Sequence, residues 1–449
     1  MLSPRRLPYL LLTLLLILLP LQNVLVQFFV QRLGLPAGLS LWKEVLTLAL
    51  LLTMEIRILR RYRKWRGQVW STQWPQLTAL ALSVFALAIS WPQVTRLSLV
   101  AGYRFELWFL LVLGVTLSWL AVESPHLLRV LRRLVRRGVV WGFYPVVIVS
   151  LLTLIFGSGF LQWLGFGAES GGLVTTSPLV NVIDGGGWNN LPRLSGGFST
   201  PNHFAAYLLL ILPVLLHLED RRQRFILVGL NLVFVLLSYA RFAWLGLLFF
   251  VLAYLTTTRY WRKFYRGLYL VPFALALFAV LTPSLANLTY LPTFLRKPSS
   301  STLHYRHTMA SLEMIARSPR LLVVGYGLGS SGPASKYFDL DDNPLHERFN
   351  AVSYRWTLFE PNLTIPENWY LQLLLNGGLP YTLLYLALLI YPTYLVRRQP
   401  YFLAAYLALL LGNLILHVFE NQTVVLYYTA LLLASEVNRR NPHECLGTI

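Results

Sequence analysis

The 449-residue chain contains one cysteine, Cys445. A single thiol excludes an intrachain disulfide framework, a cysteine-based zinc site and a cluster. Charge is also scarce: 12% of residues are Asp, Glu, Lys or Arg, about half the share of ordinary soluble domains. Acidic residues are the scarcer kind, 18 against 38 Lys plus Arg, which leaves a net charge of +20. In their place stand 56% hydrophobic residues with 14 Trp, 24 Tyr and 25 Phe, the composition of a chain with many bilayer interfaces, where amphipathic rings settle at headgroup depth. A basic surplus of this size also fits a nucleic-acid partner, so the positions of the charges decide what it means.

Apolar runs near the 17–25 residues that span a bilayer recur throughout. Twelve are expected, at 7–30, 40–54, 76–93, 99–121, 138–157, 203–218, 225–239, 242–256, 268–286, 370–394, 401–419 and 423–436. The first is too long for a removable signal peptide and lacks a small-residue cleavage site, so it reads as a retained helix. No soluble domain is expected before or after the bundle, and residues 1–449 read as a single membrane domain. The stretch 225–256 would be about 48 Å long as one helix, too long for one crossing. Splitting it at Ser238-Tyr-Ala-Arg241 puts the flanking basic loops, Arg221 to Arg224 and Arg259 to Arg266, on the same side, as the preference of basic loops for the cytoplasm requires. The other basic clusters then fall inside as well: Arg5 and Arg6, Arg57 to Arg66, Arg129 to Arg137, Arg397 and Arg398, Arg439 and Arg440. Both termini are cytoplasmic in this topology. Its inner segments hold 24 of the 38 basic and 6 of the 18 acidic residues. The surplus therefore reports orientation, helped by anionic lipid on the inner leaflet, and no nucleic acid is needed. Two long exterior segments remain, 158–202 and 287–369, and long ordered loops usually carry function.

The first exterior segment ends in Arg193-Leu-Ser-Gly196-Gly-Phe-Ser-Thr-Pro201-Asn202-His203. Arg193 is a fixed cation, the glycines permit close backbone approach, and Pro201-Asn202 is a helix entry with Asn202 as cap. A helix N-terminus beside an arginine suits a phosphate; the alternative is a capped loop whose arginine snorkels to headgroups. Arg241 is the second cation. Charge at membrane depth is a functional hypothesis by default, against the reading of an interfacial anchor. The second exterior segment holds His304, Arg306 and His307, then a helical stretch to Arg317, then Gly325-Tyr-Gly327-Leu-Gly329. That run lacks the strand–helix setting of a nucleotide loop and reads as a turn roofing a cavity. Asp339, Asp341 and Asp342 lack the Gly and Glu of a calcium loop and read as a solvated tip, so no metal is expected. Before the tenth span stands Pro366-Glu367-Asn368-Trp369, with Gly378-Leu-Pro380 further on. Glu367 could take a proton from an attacking hydroxyl while two arginines hold an anionic leaving group, or simply favour the first turn of a helix.

Taken in order, these runs resemble the O-antigen ligase and polymerase superfamily. Arg193 through Asn202-His203 is similar to its Arg, Gly, Pro-Asn motif, and Ser238-Tyr-Ala-Arg241 to its Ser-x-x-Arg turn, with Ser238 at its head. Arg306 to Gly329 resembles its large periplasmic loop, and Glu367-Asn368 through Gln372 with Gly378-Leu-Pro380 the entry to the next helix. The resemblance implies an all-α, polytopic, GT-C-like integral membrane protein of about 12 transmembrane helices, with the large loop between helices nine and ten. It implies a glycosyltransferase on the periplasmic face of the bacterial inner membrane that needs neither metal nor cofactor. The donor would be a glycan on a polyprenyl pyrophosphate, and the acceptor a lipid A core or another glycan. Arg193 and Arg241 would bind the pyrophosphate, and Glu367 stands where many ligases carry histidine, with His304 and His307 as other base candidates. Asn202, His203, Ser238, Arg306 and Asn368 complete the expected substrate-binding set. A membrane transporter, of the kind some relatives linked to inorganic-carbon uptake represent, is the competing reading, kept open by Glu44, Arg104 and Glu106 in or near spans.

Overall fold

The computed structural model describes residues 7–62, 69–91, 96–166, 194–238, 240–257, 298–318, 322–337, 368–414 and 416–436. Among these the chain is helical, with no strand. The first column begins as α1 (Leu7–Leu18). Pro20, which has no N–H to continue the ladder, falls in a 3-10 turn at Leu19–Leu21. The column then runs on to Arg32. Next come α2 (Trp42–Tyr62), α3 (Val69–Ser90), a short helix Arg96–Gly102, a π turn Tyr103–Leu107 and α4 (Trp108–Val122). They are followed by α5 (Pro125–Trp163), α6 (Pro201–Leu216), α7 (Arg221–Leu237) and α8 (Arg241–Thr257). The described chain closes with α9 (Pro298–Arg317), α10 (Trp369–Leu395), α11 (Pro400–Gly412) and α12 (Gln422–Ala434).

Six of these stretches are long and apolar enough to cross a bilayer, and α6, α8, α11 and α12 are shorter apolar helices. Outward faces are greasy: Leu52, Ile56 and Leu59 on α2, Ile148 and Ile155 on α5, and Leu232, Val233 and Leu236 on α7 are all exposed. Such faces would be aggregation-prone in water and are at home against acyl chains. The chain is thus a polytopic all-α membrane protein, as the sequence indicates.

Three expected spans differ or lie out of view. The span at 138–157 begins earlier, because α5 runs from Pro125 through the whole basic stretch. The span at 401–419 stops at Gly412, where the chain leaves the helix. The span at 268–286 lies outside the described residues, as do the acidic tip at Asp339 to Asp342, Cys445, and the basic pairs Arg5–Arg6 and Arg439–Arg440.

Contacts sort the helix ends into two groups. At one end, Arg57 lies 3.5 Å from the fully buried carboxylate of Glu123, which also accepts from Trp119 Nε1 at 3.0 Å. There too Arg132 and Arg136 of α5 donate to carbonyls at the C-terminal end of α12, that of the capping Ser435 at 2.9 Å and of Ala434 at 3.2 Å. Cations on terminal carbonyls suit the negative end of a helix. Gln399 and Glu436 exchange two hydrogen bonds of 2.8 Å beside them. The opposite end collects Ser90, Gly102, the turn between α7 and α8, the start of α10 and the segment 413–421. An aromatic layer closes the bundle beneath it: Phe109 stacks on Phe419 at 4.9 Å, and Tyr428 meets Phe109, Phe419 and Tyr406 edge-on at 5.6, 5.1 and 4.5 Å.

Candidate active site

The turn between α7 and α8 is built by Ser238. Its buried hydroxyl donates to Val235 O at 2.7 Å and accepts from Ala240 N at 3.3 Å, so one side chain ties the end of one helix to the start of the next. Arg241 is the first residue of α8 and is exposed. A cation there opposes the helix dipole by about 0.3–1 kcal/mol. The helix dipole therefore does not favour it, whereas an anion would meet both the arginine and the helix N-terminus. The next residue, Phe242, covers Gly412: a Cβ on that glycine would stand 2.7 Å from the ring.

Arg193 lies outside the described residues, but its neighbour Leu194 donates to Leu237 O at 2.9 Å. This bond carries the chain that follows Arg193 to the edge of the Ser238–Arg241 turn. The same chain then enters α6, and here the expected cap is corrected. Thr200, not Asn202, is the N-cap, its hydroxyl accepting from His203 N at 3.2 Å. Pro201 takes the first helical position, where its missing N–H costs nothing, and Asn202 sits half-buried one residue on. His203 lies between two loops: its Nδ1 is 2.9 Å from Ser199 Oγ, and its ring lies by the backbone of His417.

Glu367 also lies outside the described residues. Asn368 follows it and caps α10, accepting from Tyr370 N at 2.9 Å and Leu371 N at 3.1 Å while Nδ2 donates to Leu414 O at 2.9 Å. Trp369 N donates to Asn413 O at 3.0 Å. The α7–α8 turn, the α6 entry and the α10 entry thus meet on residues 412–421, the stretch expected to be the end of a spanning helix.

That stretch is recessed. A 13-residue helix such as α11 or α12 is about 20 Å long, short of the ~30 Å hydrocarbon core. Non-helical backbone at such depth is tolerated where protein buries it or a polar cavity meets it. Asn413 supplies the burial, its Oδ1 accepting from Val418 N at 3.1 Å and Phe419 N at 3.4 Å.

Arg306 and His307 are not brought to this point by any contact described. They lie on α9, whose Ala310, Met314 and Ile315 pack with Tyr326 and Leu375 in a small separate core. His304 is on the same helix, and its side chain lies outside the described residues.

The glycine-rich run, expected to roof a cavity, instead packs directly on a break in α10 as a cap, hereafter the roof. Gly378 has φ 77° and ψ 179°, a region open almost only to glycine. Pro380 has no N–H with which to satisfy Asn376 O. The roof replaces what the helix lost: Tyr326 N donates to Leu375 O at 2.9 Å and Gly327 N to Asn376 O at 2.8 Å. Asn376 Oδ1 accepts from Ser330 Oγ at 3.0 Å and from Ser331 N and Oγ at 2.9 Å. Its amide nitrogen donates to Glu106 Oε1, which also accepts from Gln372 Nε2 at 2.9 Å. Glu106 is 1% exposed and stands in the π turn before α4, a geometry frequent at functional positions. Of the charges that kept transport open, Glu106 therefore anchors the roof, and Glu44 pairs with Arg104 at 2.8 Å.

Sequence reasoning missed His417, Glu420 and the recess they occupy, because an apolar run through Leu416 hides the helix end. The one signal was Gly412-Asn413, a common helix stop.

With this geometry in place, comparison with known proteins gives one family. Residues 226–386 match the model of the O-antigen ligase family. That stretch holds the Ser238–Arg241 turn, the roof and the α10 entry, and it begins after the Arg193–His203 run. Over that stretch, about a third of its length, the chain is similar to a family whose name denotes membrane ligation of glycans. No curated protein matches the chain.

Proposed function

We propose that the protein transfers an oligo- or polysaccharide from a polyprenyl pyrophosphate to an acceptor hydroxyl at the periplasmic face of the bacterial inner membrane. The observation that carries the reading is the convergence of the Ser238–Arg241 turn, the chain following Arg193 and the Asn368 entry on one recess. A pyrophosphate anchored by its lipid arrives near headgroup depth, where an exposed arginine on a helix N-terminus meets it. Arg241 and Arg193 bind the pyrophosphate and stabilise it as the leaving group. Glu367, next to the capping Asn368, orients the acceptor hydroxyl or takes its proton. Asn202, His203 and Ser238 hold the walls of the recess in place, and Arg306, His304 and His307 bind farther along the glycan. The acceptor is a lipid A core or a second glycan, and the bilayer is the remaining partner.

In this reading the end with Arg57, Arg132 and Arg136 faces the cytoplasm together with both termini, and 158–202 and 287–369 lie outside. The chain is one membrane domain.

Deleting the gene separates transfer from transport. The expected result is loss of long-chain surface glycan with accumulation of its lipid-linked precursor, read by glycan electrophoresis and lipid extraction. Unchanged glycan and precursor, with loss of solute uptake by membrane vesicles, would contradict the proposal.

A further inference from the structure

The recess holds a pair of titratable side chains that the proposed chemistry leaves unused. His417 Nδ1 stands 3.2 Å from Glu420 Oε1, with side chains 8% and 10% exposed. Neither ring nitrogen of His417 makes an aligned hydrogen bond. Buried polar atoms in that condition call for a reason.

The pair is fixed in place from several sides. Asn413 pins the backbone between the two residues, at Val418 and Phe419, and the His417 ring lies edge-on to Trp369 at 6.2 Å. Trp369 is the first residue of α10, two residues beyond Glu367. Among the described residues, the titratable groups near the pair are His203 from α6, whose ring lies by the His417 backbone, and Glu106 from the π turn, close enough to feel the charge of Glu420. An imidazole held against a carboxylate, itself oriented by its loop, is the arrangement of a general base. Loose alignment without substrate is common in such bases.

Resting on the transfer reading above, we propose that His417 receives the proton of the attacking hydroxyl and that Glu420 positions the ring and stabilises the imidazolium. The acceptor O–H bond breaks as its oxygen bonds to the anomeric carbon. The bond from that carbon to the pyrophosphate oxygen breaks, and its electron pair leaves with the polyprenyl pyrophosphate. The proton sits on the His417 ring until it passes to water or to the departing phosphate. Glu367 then keeps the orienting role.

The test uses host membrane vesicles holding their own lipid-linked glycan pool and compares wild type with His417→Gly, Glu420→Asp, Glu420→Ala and Arg241→Ala. His417→Gly is expected to lose about 100-fold or more in transfer rate at unchanged donor KM, and added imidazole to restore at least tenfold. Glu420→Asp keeps most of the rate that Glu420→Ala loses. A His417→Gly protein that accumulates and keeps the wild-type rate, or loses it with no response to imidazole, overturns the proposal while an inactive Arg241→Ala leaves the transfer reading standing. Should His417→Gly not accumulate, the Glu420 pair decides: equal rates for Asp and Ala overturn the proposal, and a loss confined to Ala supports it. Full transfer by Arg241→Ala would instead bring down the transfer reading itself.

Discussion

Arg241→Ala is expected to abolish long-chain surface glycan and to raise its lipid-linked precursor, while the protein still reaches the membrane at near wild-type amounts. The two halves of that result have separate physical grounds. Arg241 is exposed at the first position of α8, where its charge works against the helix dipole, so Arg241→Ala relieves that repulsion while leaving the turn in place. The turn itself is held by Ser238, whose hydroxyl bridges Val235 and Ala240, and that remains. What is lost is a charged donor aimed at a developing phosphate charge, worth about 10²–10³ in rate. Arg241→Lys keeps the charge but not the two-pronged geometry that fits a phosphate, and an intermediate glycan profile is expected. A profile indistinguishable from wild type for Arg241→Ala, with equal protein in the membrane, would remove the pyrophosphate role of the turn.

The second large effect concerns the roof. Gly378→Ala is expected to lower accumulation of the protein sharply and to lower the melting temperature of whatever accumulates, followed by intrinsic fluorescence in detergent. A Cβ there would stand 2.6 Å from the Val323 carbonyl, backbone that cannot step aside. The conformation, φ 77° and ψ 179°, adds about 1–3 kcal/mol of strain for any other residue. Undocking residues 323–327 also leaves the carbonyls of Leu375 and Asn376 without the N–H groups of Tyr326 and Gly327, at about 1–3 kcal/mol for each buried group left unpaired. Gly229 on α7 is the control, since nothing lies within 4 Å of its Cβ position. Gly229→Ala should be neutral or stabilising by about 0.5–1 kcal/mol, as for a glycine inside a helix. Matching melting temperatures for the two variants would show that the roof does not depend on the break in α10.

Much of this was legible in the chain, and the reasons are local. Apolar length marks a spanning helix wherever it occurs, so α1, α3 and α10 could be read directly. The Ser238–Arg241 turn emerged because 32 apolar residues cannot cross a bilayer once and basic loops fix the side. What stayed hidden depends on tertiary partners. Hydrophobicity persists past Gly412 to residue 419, so apart from the Gly412-Asn413 pair nothing in the composition marks the helix end, which the packing against Phe242 and Trp369 fixes. Asn202 looked like the cap, yet Thr200 holds that place because Pro201 sets the first turn. The fit between the glycine run and Gly378-Leu-Pro380 joins segments about 50 residues apart. Glu106, a charge in an apolar span, looked like a transport residue until Gln372 and Asn376 supplied its partners.

The most direct measurement is transfer by the purified protein in liposomes, supplied with polyprenyl-pyrophosphate-linked glycan extracted from the deletion strain. Lengthening of the glycan in step with release of free polyprenyl pyrophosphate, both lost in Arg241→Ala, is the predicted result. Donor left intact by folded wild-type protein, with both candidate acceptors present, would contradict it.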